Sequence, residues 1–147
     1  MKTSSPHAER LRAAVIGVGA RGRNHVRLCV ELETVSLVGV ADPDPTARGP
    51  VASRHHVQGF ANYRRLVEAE KPDFALLAVP AQWQVPIALD LIERGIHVLL
   101  ETPIAMTAEE GRTLTDRARA CGVTLGVGYV ERFNPAMTAL KKRIQRV

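Results

Sequence analysis

Residues 13–25 read AAVIGVGARGRNH, a short apolar run followed by three glycines in the spacing G-x-G-x-x-G. The apolar run is typical of a buried parallel strand, and the residues after the glycines fit a helix as far as about Leu32. Each glycine has a predicted purpose. Gly17 permits a tight turn out of the strand, Gly19 lets backbone N–H groups approach a bound group, and Gly22 lets the helix lie close to the sheet.

Two further patterns favour a dinucleotide site over an accidental match. Gly22 begins a predicted buried helix stripe that continues through Val26, Cys29 and Val30. A second apolar run, residues 35–41, ends in Asp42, whose carboxylate can accept hydrogen bonds from an adenosine ribose. A methyltransferase is an alternative, because such enzymes also use glycine-rich turns. They often carry an acid just before the first glycine, where this chain has Ile16.

The same residues predict NAD as the cofactor in preference to NADP. The first-turn residues Ala20 and Arg21 are expected at the helix N-terminus that faces the pyrophosphate. Asp42 would repel the 2′-phosphate of NADP, and residues 43–46 contain no arginine that could neutralise it. Arg48 is the nearest cation, and its reach depends on a helix that we expect to be interrupted by Gly49 and Pro50.

Composition excludes several other classes of protein. The 147 residues are 46% hydrophobic and 24% charged, as in an ordinary soluble domain, and no apolar run is long enough to span a membrane. Two cysteines are too few for a disulfide framework, so a cytoplasmic location is expected. The net charge of +5 arises mostly from residues 141–147, without interleaved aromatic residues, and this argues against nucleic-acid binding.

Strand and helix patterns alternate along the chain and predict an α/β fold, a doubly wound parallel sheet of the Rossmann type in a single domain. Further strands are expected at residues 57–60, 74–79, 96–100 and 123–129. The second helix is expected to begin at Pro45 and to be short, broken or resumed at Val51, because Gly49 and Pro50 interrupt it. Further helices are expected at residues 62–70, 83–94 and 107–121. A last helix begins at Asn134 and runs to the end of the chain.

Several motifs in the second half resemble the Gfo/Idh/MocA oxidoreductases. They are AVP at residues 78–80, GIHVLLETPIAMT at 95–107 and GYVERFNPA at 128–136, and the glycines are followed by His25 as in that family. The ERFNPA ending is most similar to members that act on nucleotide sugars. The resemblance implies hydride transfer between a sugar or nucleotide-sugar hydroxyl and NAD.

The resemblance also implies positions for site residues. Val79 and Pro80 follow the fourth strand at the cofactor, and Glu101 corresponds to a family glutamate near the nicotinamide ribose. Trp83 would lie against the cofactor or serve only in packing at the start of a helix. His25 and Cys29 are one helical turn apart, but no second pair has ligand spacing, so no metal site is expected.

Two main departures from the family, and a smaller one at Gln84, separate this chain from an ordinary dehydrogenase. Family members have E-K-P after the fifth strand, with the lysine beside the substrate hydroxyl, whereas this chain has Thr102 at that position. Gln84 stands where many members have a histidine. The family's C-terminal substrate domain is also absent from these 147 residues.

These departures leave two hypotheses. The expected division is a tail at residues 1–11, a dinucleotide-binding domain at 12–133, and the start of a helix leading to a further domain at 134–147. The chain is then the NAD-binding part of an oxidoreductase and is inactive alone. The alternative is a stand-alone nucleotide-binding module, such as a sensor or partner subunit. The sequence does not indicate an oligomeric state.

Overall fold

The computed structural model describes residues 10–144, in which strands and helices alternate along the chain. The six strands of this part are β1 (Leu11–Ile16), β2 (Val35–Ala41), β3 (Gln58–Phe60), β4 (Phe74–Leu77), β5 (His97–Leu100) and β6 (Leu125–Val127). Its helices are α1 (Ala20–Glu31), α2 (Pro45–His55), α3 (Tyr63–Glu70), α4 (Ala81–Glu93), α5 (Ala108–Cys121) and α6 (Pro135–Ile144), with a 3₁₀ turn at Val130–Phe133.

All neighbouring strands of the sheet are parallel, in the order β3-β2-β1-β4-β5-β6. The chain first moves from β1 out to β3, and it then crosses back to β4 on the other side of β1. Ile16 pairs with Ala41 on β2 and with Leu77 on β4, so three strands end at the same edge. In sheets of this kind ligands bind at that edge, where the strand order reverses.

Strand β1 is buried on both faces, as its apolar run predicts. Ala14 and Ile16 join the hydrophobic cluster beneath α3, α4 and α5, while Ala13 and Val15 join the cluster beneath α1 and α2. Because successive strand residues point to opposite faces, this alternation indicates that helices cover both sides of the sheet. The doubly wound parallel sheet is therefore confirmed.

Most predicted helix ends are also found. Thr107 and Glu110 form the reciprocal capping box at the start of α5, and Gly122 ends that helix with a positive φ of 68°. Gly95 follows α4 with φ 77°. Strands β4 and β6 are shorter than predicted, and α4 begins at Ala81, two residues before the expected start.

Two expectations about helices were wrong. Helix α2 continues through Pro50. Proline has no N–H, so the carbonyl oxygen of Thr46 loses its helical hydrogen bond. Both residues are exposed, and water can bind that carbonyl oxygen instead. Val30 is 52% exposed although it was expected on the buried stripe of α1, because its position turns it away from the centre of that stripe. The predicted tail at residues 1–11 lies mostly outside the described residues, as do residues 145–147 of the last helix.

Candidate functional site

The glycine turn between β1 and α1 has two glycines that the fold itself requires. Gly17 has a φ of 83°, and a Cβ there would lie 2.5 Å from the carbonyl oxygen of Ala78. A Cβ on Gly22 would overlap the carbonyl oxygen of Gly17. Any side chain at either position would therefore push the turn or the helix away from the sheet.

Gly19 differs, because a Cβ there would meet no other atom of the chain within 4 Å. This glycine is the N-cap of α1, has an ordinary φ of −64°, and supplies no side chain to cap the helix. The first turn of α1 also contains no acidic residue that could cap these N–H groups. The helix thus presents uncapped N–H groups and a partial positive charge to open space, an arrangement that suits a phosphate.

Asp42 lies directly opposite this turn at the end of β2. Its Oδ2 accepts a hydrogen bond from the N–H of Val18 at 2.9 Å, and its Oδ1 accepts one from the N–H of Asp44 at 2.9 Å. Each carboxylate oxygen keeps a further lone pair, so the carboxylate is fixed in place and can still accept hydrogen bonds from ribose hydroxyls.

Arg48 is close to Asp42 because it lies in the first turn of α2, which begins three residues after Asp42. Its Nη1 donates a hydrogen bond to the backbone carbonyl oxygen of Asp42 at 2.5 Å and also points to that of Pro43 at 3.3 Å. The side chain passes over Gly59, where a Cβ would lie 2.8 Å from its Cγ. The guanidinium therefore lies beside the end of β2 but binds main-chain oxygens there.

A cleft of about 540 Å³ opens at the strand edge between the starts of α3 and α4. A volume of this size is typical of small-molecule sites. Five of the residues predicted from the sequence line it, namely Gly17, Asp42, Val79, Pro80 and Trp83. Trp83 is 57% exposed, so it borders the cleft without being part of the core. Three residues that sequence reasoning missed also line the cleft, namely Asn62, Tyr63 and Arg64.

Asp90 of α4 holds two of these missed residues. It accepts hydrogen bonds from the hydroxyl of Tyr63 at 2.8 Å and from Nε of Arg64 at 2.9 Å, and Arg94 adds a third bond. Burial alone would raise the pKa of Asp90, but the three hydrogen bonds outweigh it and lower that pKa. Burial raises the pKa of Tyr63, and the bond to Asp90 raises it further, so the phenol remains a donor.

Glu101 connects the end of β5 to the first turns of α1. Its carboxylate accepts a hydrogen bond from Arg21 Nη1 at 3.0 Å, and it lies 2.7 Å from Nε2 of His25. The Glu101 and His25 side chains are each only 16% exposed. His25 therefore has Glu101 as its partner, and within residues 10–144 no group of three His, Cys, Asp or Glu residues is arranged to hold a metal ion.

Gln84 anchors the loop that carries Glu101 and Thr102. Its side chain is 2% exposed, and Nε2 donates hydrogen bonds to the carbonyl oxygens of Glu101 at 2.9 Å and Pro103 at 2.6 Å. The sequence held a signal for this role, because Gln84 falls on the same helix face as the buried Ala88. Thr102 itself is half-buried next to Glu101.

The predicted site residues thus form three neighbouring groups at one edge of the sheet. One group lines the cleft, and Gly19, Ala20 and Arg21 form the exposed first turn of α1 above the buried Gly22. Glu101 and Thr102 make the third group, on the β5 side. None of the helices in residues 10–144 has the length and apolar character that crossing a membrane requires.

Comparisons with known proteins agree with this geometry. Residues 11–129 match the model of the Gfo/Idh/MocA family, described as an oxidoreductase family with an NAD-binding Rossmann fold. The chain is 33% identical to the rhizopine catabolism protein MocA of Rhizobium meliloti, over 92% of this chain and 43% of that protein. It is 32% identical to inositol 2-dehydrogenase 4 of Saccharopolyspora erythraea, over 91% of this chain and 40% of that protein.

Solved structures show the same correspondence. GenD2 from gentamicin A biosynthesis, in complex with NAD, superimposes with a TM-score of 0.80 and 29% identity, over 87% of this chain and 37% of that one. The WlbA dehydrogenase of Chromobacterium violaceum, in complex with NADH and UDP-GlcNAcA, gives a TM-score of 0.88 and 26% identity, over 99% and 43%. The chain therefore spans about two fifths of the length of these relatives.

Proposed function

The chain belongs to the Gfo/Idh/MocA oxidoreductase family and corresponds to its NAD-binding domain, and from this premise we infer that it binds NAD along the carboxyl edge of its sheet. The observation that carries the proposal is the open space at Gly19 in front of the uncapped first turn of α1. The pyrophosphate lies in that space and accepts hydrogen bonds from the N–H groups of Ala20 and Arg21.

The adenosine half of the cofactor lies in the cleft, with its ribose hydroxyls bonded to Asp42. The bonds from Val18 and Asp44 hold that carboxylate before the ligand arrives, which reduces the entropy lost on binding. Val79, Pro80 and Trp83 supply the apolar wall on the α4 side. A 2′-phosphate at this point would face the Asp42 carboxylate, so NAD is preferred over NADP.

The nicotinamide half extends toward the end of β5. Bound nicotinamide supplies the hydride acceptor or donor of the family's chemistry. Glu101 bonds with the nicotinamide ribose on this side, and the Gln84 bonds keep its loop in a fixed position. Thr102 offers a neutral hydroxyl where the family lysine would stabilise a developing alkoxide, so it cannot replace the charge of that lysine.

The parent reaction that we propose is hydride transfer between a sugar or nucleotide-sugar hydroxyl and NAD, in the cytoplasm and in a longer context. The 147 residues alone are then inactive. Residues 134–147 would begin the helix leading to the substrate domain. The exposure of Phe133, Met137 and Leu140 supports this, because such apolar side chains are normally covered in a complete protein.

Thr102 favours a second candidate function, that of a nucleotide-binding module without catalysis, such as a sensor or partner subunit. The two candidates differ in what a complete protein does. A panel of polyols, aldoses and UDP-sugars, followed by NADH absorbance, separates them. Turnover by the longer protein supports the oxidoreductase, and NAD binding without turnover supports the module.

Calorimetric titration with NAD tests the shared part of both candidates. Gly19→Val places a branched side chain in the space assigned to the pyrophosphate and should abolish binding. Gly49→Val is the matched control, because a Cβ at that exposed helix glycine also meets nothing within 4 Å. Both variants should keep the wild-type circular dichroism spectrum. Equal NAD affinity in the wild type and Gly19→Val would refute the assignment.

A further inference from the structure

The cluster formed by Tyr63, Arg64, Asp90 and Arg94 lies outside the glycine turn, and the proposed NAD contacts assign it no role. A single carboxylate, that of Asp90, accepts hydrogen bonds from the Tyr63 hydroxyl, from Arg64 of α3 and from Arg94, which directly follows α4. Asp90 is 22% exposed, so these bonds are partly shielded from water. The cluster fastens the start of α3, beside the cleft, to the last turn of α4.

Arg64 is the charged member of the cluster that lines the cleft. It lines the cleft, its side chain is 55% exposed, and its guanidinium carbon lies 5.4 Å from the centre of the Tyr63 ring. Asp90 binds it through Nε, at the inner end of the guanidinium. This bond leaves the plane of the guanidinium uncovered by Asp90, and such a plane can stack on an aromatic heterocycle.

The positions of the phosphate and ribose contacts determine which part of a dinucleotide reaches Arg64. With the pyrophosphate at Gly19 and the ribose at Asp42, the adenine is carried away from the glycine turn and further into the cleft. That part of the cleft is bounded by Asn62, Tyr63 and Arg64 on the α3 side and by Trp83 on the α4 side.

We propose that the guanidinium of Arg64 forms one wall of the adenine pocket and that Asp90 is the positioning residue that holds it there. The proposal rests on the proposed function, because it assigns a role at the same cofactor site. It makes adenosine recognition depend on an ion pair between α3 and α4, which the glycine motif does not include. Arg64 contributes by stacking, and Asp90 contributes only through Arg64.

Titration with AMP tests the proposal, since AMP contains the adenosine half alone. Arg64→Ala should weaken AMP and NAD binding by a similar factor, about 3- to 30-fold for the loss of a cation–π stack. Asp90→Asn should weaken both by a similar or smaller factor. Glu93→Gln, on the same helix as Asp90, breaks an exposed ion pair with Arg117 of α5 and is the matched control, which should leave AMP affinity unchanged.

A double variant distinguishes positioning from general damage to the fold. In an Arg64→Ala background, Asp90→Asn should cause no further loss of AMP affinity, because the residue through which it acts is gone. If the losses of AMP affinity in the two single variants add in full in the double variant, Asp90 does not act through Arg64. If Arg64→Ala binds AMP as tightly as the wild type, Arg64 is not a wall of the adenine pocket. If the wild type binds neither NAD nor AMP, the proposed function itself fails.

Discussion

Replacing Gln84 by Met tests whether this side chain holds the loop at the end of β5. Methionine keeps the length and most of the volume, but it removes the donor that serves the carbonyl oxygens of Glu101, Pro103 and Ile104. The bonds to the first two are short, at 2.9 and 2.6 Å, whereas the third is 3.3 Å and weaker.

The size of the effect follows from those two short bonds. A buried acceptor left without its donor costs about 1–3 kcal/mol. The loop is partly exposed, so water can replace part of the lost hydrogen bonding. We therefore expect the loss of the two short bonds to lower the free energy of unfolding by about 2–4 kcal/mol. In a domain of this size each kcal/mol lowers the melting temperature by roughly 3 °C.

Urea denaturation followed by far-ultraviolet circular dichroism measures the loss. The matched control is Gln82→Met on the same helix, where the native side chain is exposed, and it should change the free energy of unfolding by less than about 0.5 kcal/mol. Equal stability in Gln84→Met and wild type would refute the anchoring role. The loop around Glu101 would then be held by other contacts.

Three other predictions follow from the same geometry. NAD should bind at least about tenfold more tightly than NADP, since the Asp42 carboxylate and a 2′-phosphate at about 4 Å repel each other by about 1–4 kcal/mol. Calorimetry should show a smaller preference for NAD in Asp42→Ala. Tighter binding of NADP than of NAD by the wild type would mean that Arg48 captures the phosphate. Gly22→Ala should lower the free energy of unfolding by about 1–3 kcal/mol or more in urea, because its methyl group overlaps the Gly17 carbonyl, and unchanged stability would contradict this packing. Burial raises the pKa of Cys29 from 9.0 to about 11, so stability should fall as pH rises through that range, and the fall should be smaller in Cys29→Ala.

Local sequence patterns were sufficient to predict most of the fold. The alternation of Ala13 to Ile16 between two hydrophobic clusters, the glycine turn and the Thr107 capping box all depend on residues close together in the chain. Each can be inferred from spacing and side-chain chemistry alone. The continuous helix α2 was missed because a proline penalty is small where the freed carbonyl faces water.

The rest of the site depends on contacts between residues far apart in sequence. Asp90 meets Arg64 across 26 positions, and His25 meets Glu101 across 76. Neither pair leaves a periodic pattern, so the α3 side of the cleft was not predicted. Gln84 is an intermediate case, since its spacing from Ala88 could have indicated burial but not the three carbonyl oxygens that it binds.

The most direct test of the account is an NMR titration of the ¹⁵N-labelled chain with NAD. We predict that the amide resonances of Ala20 and Arg21 shift, because the pyrophosphate approaches those N–H groups. Resonances of Arg54 and Cys121, which lie away from the sheet edge in α2 and α5, should stay in place. No shift at the first turn of α1 in saturating NAD, or shifts confined to α2 and α5, would contradict the assignment of the carboxyl edge as the dinucleotide site.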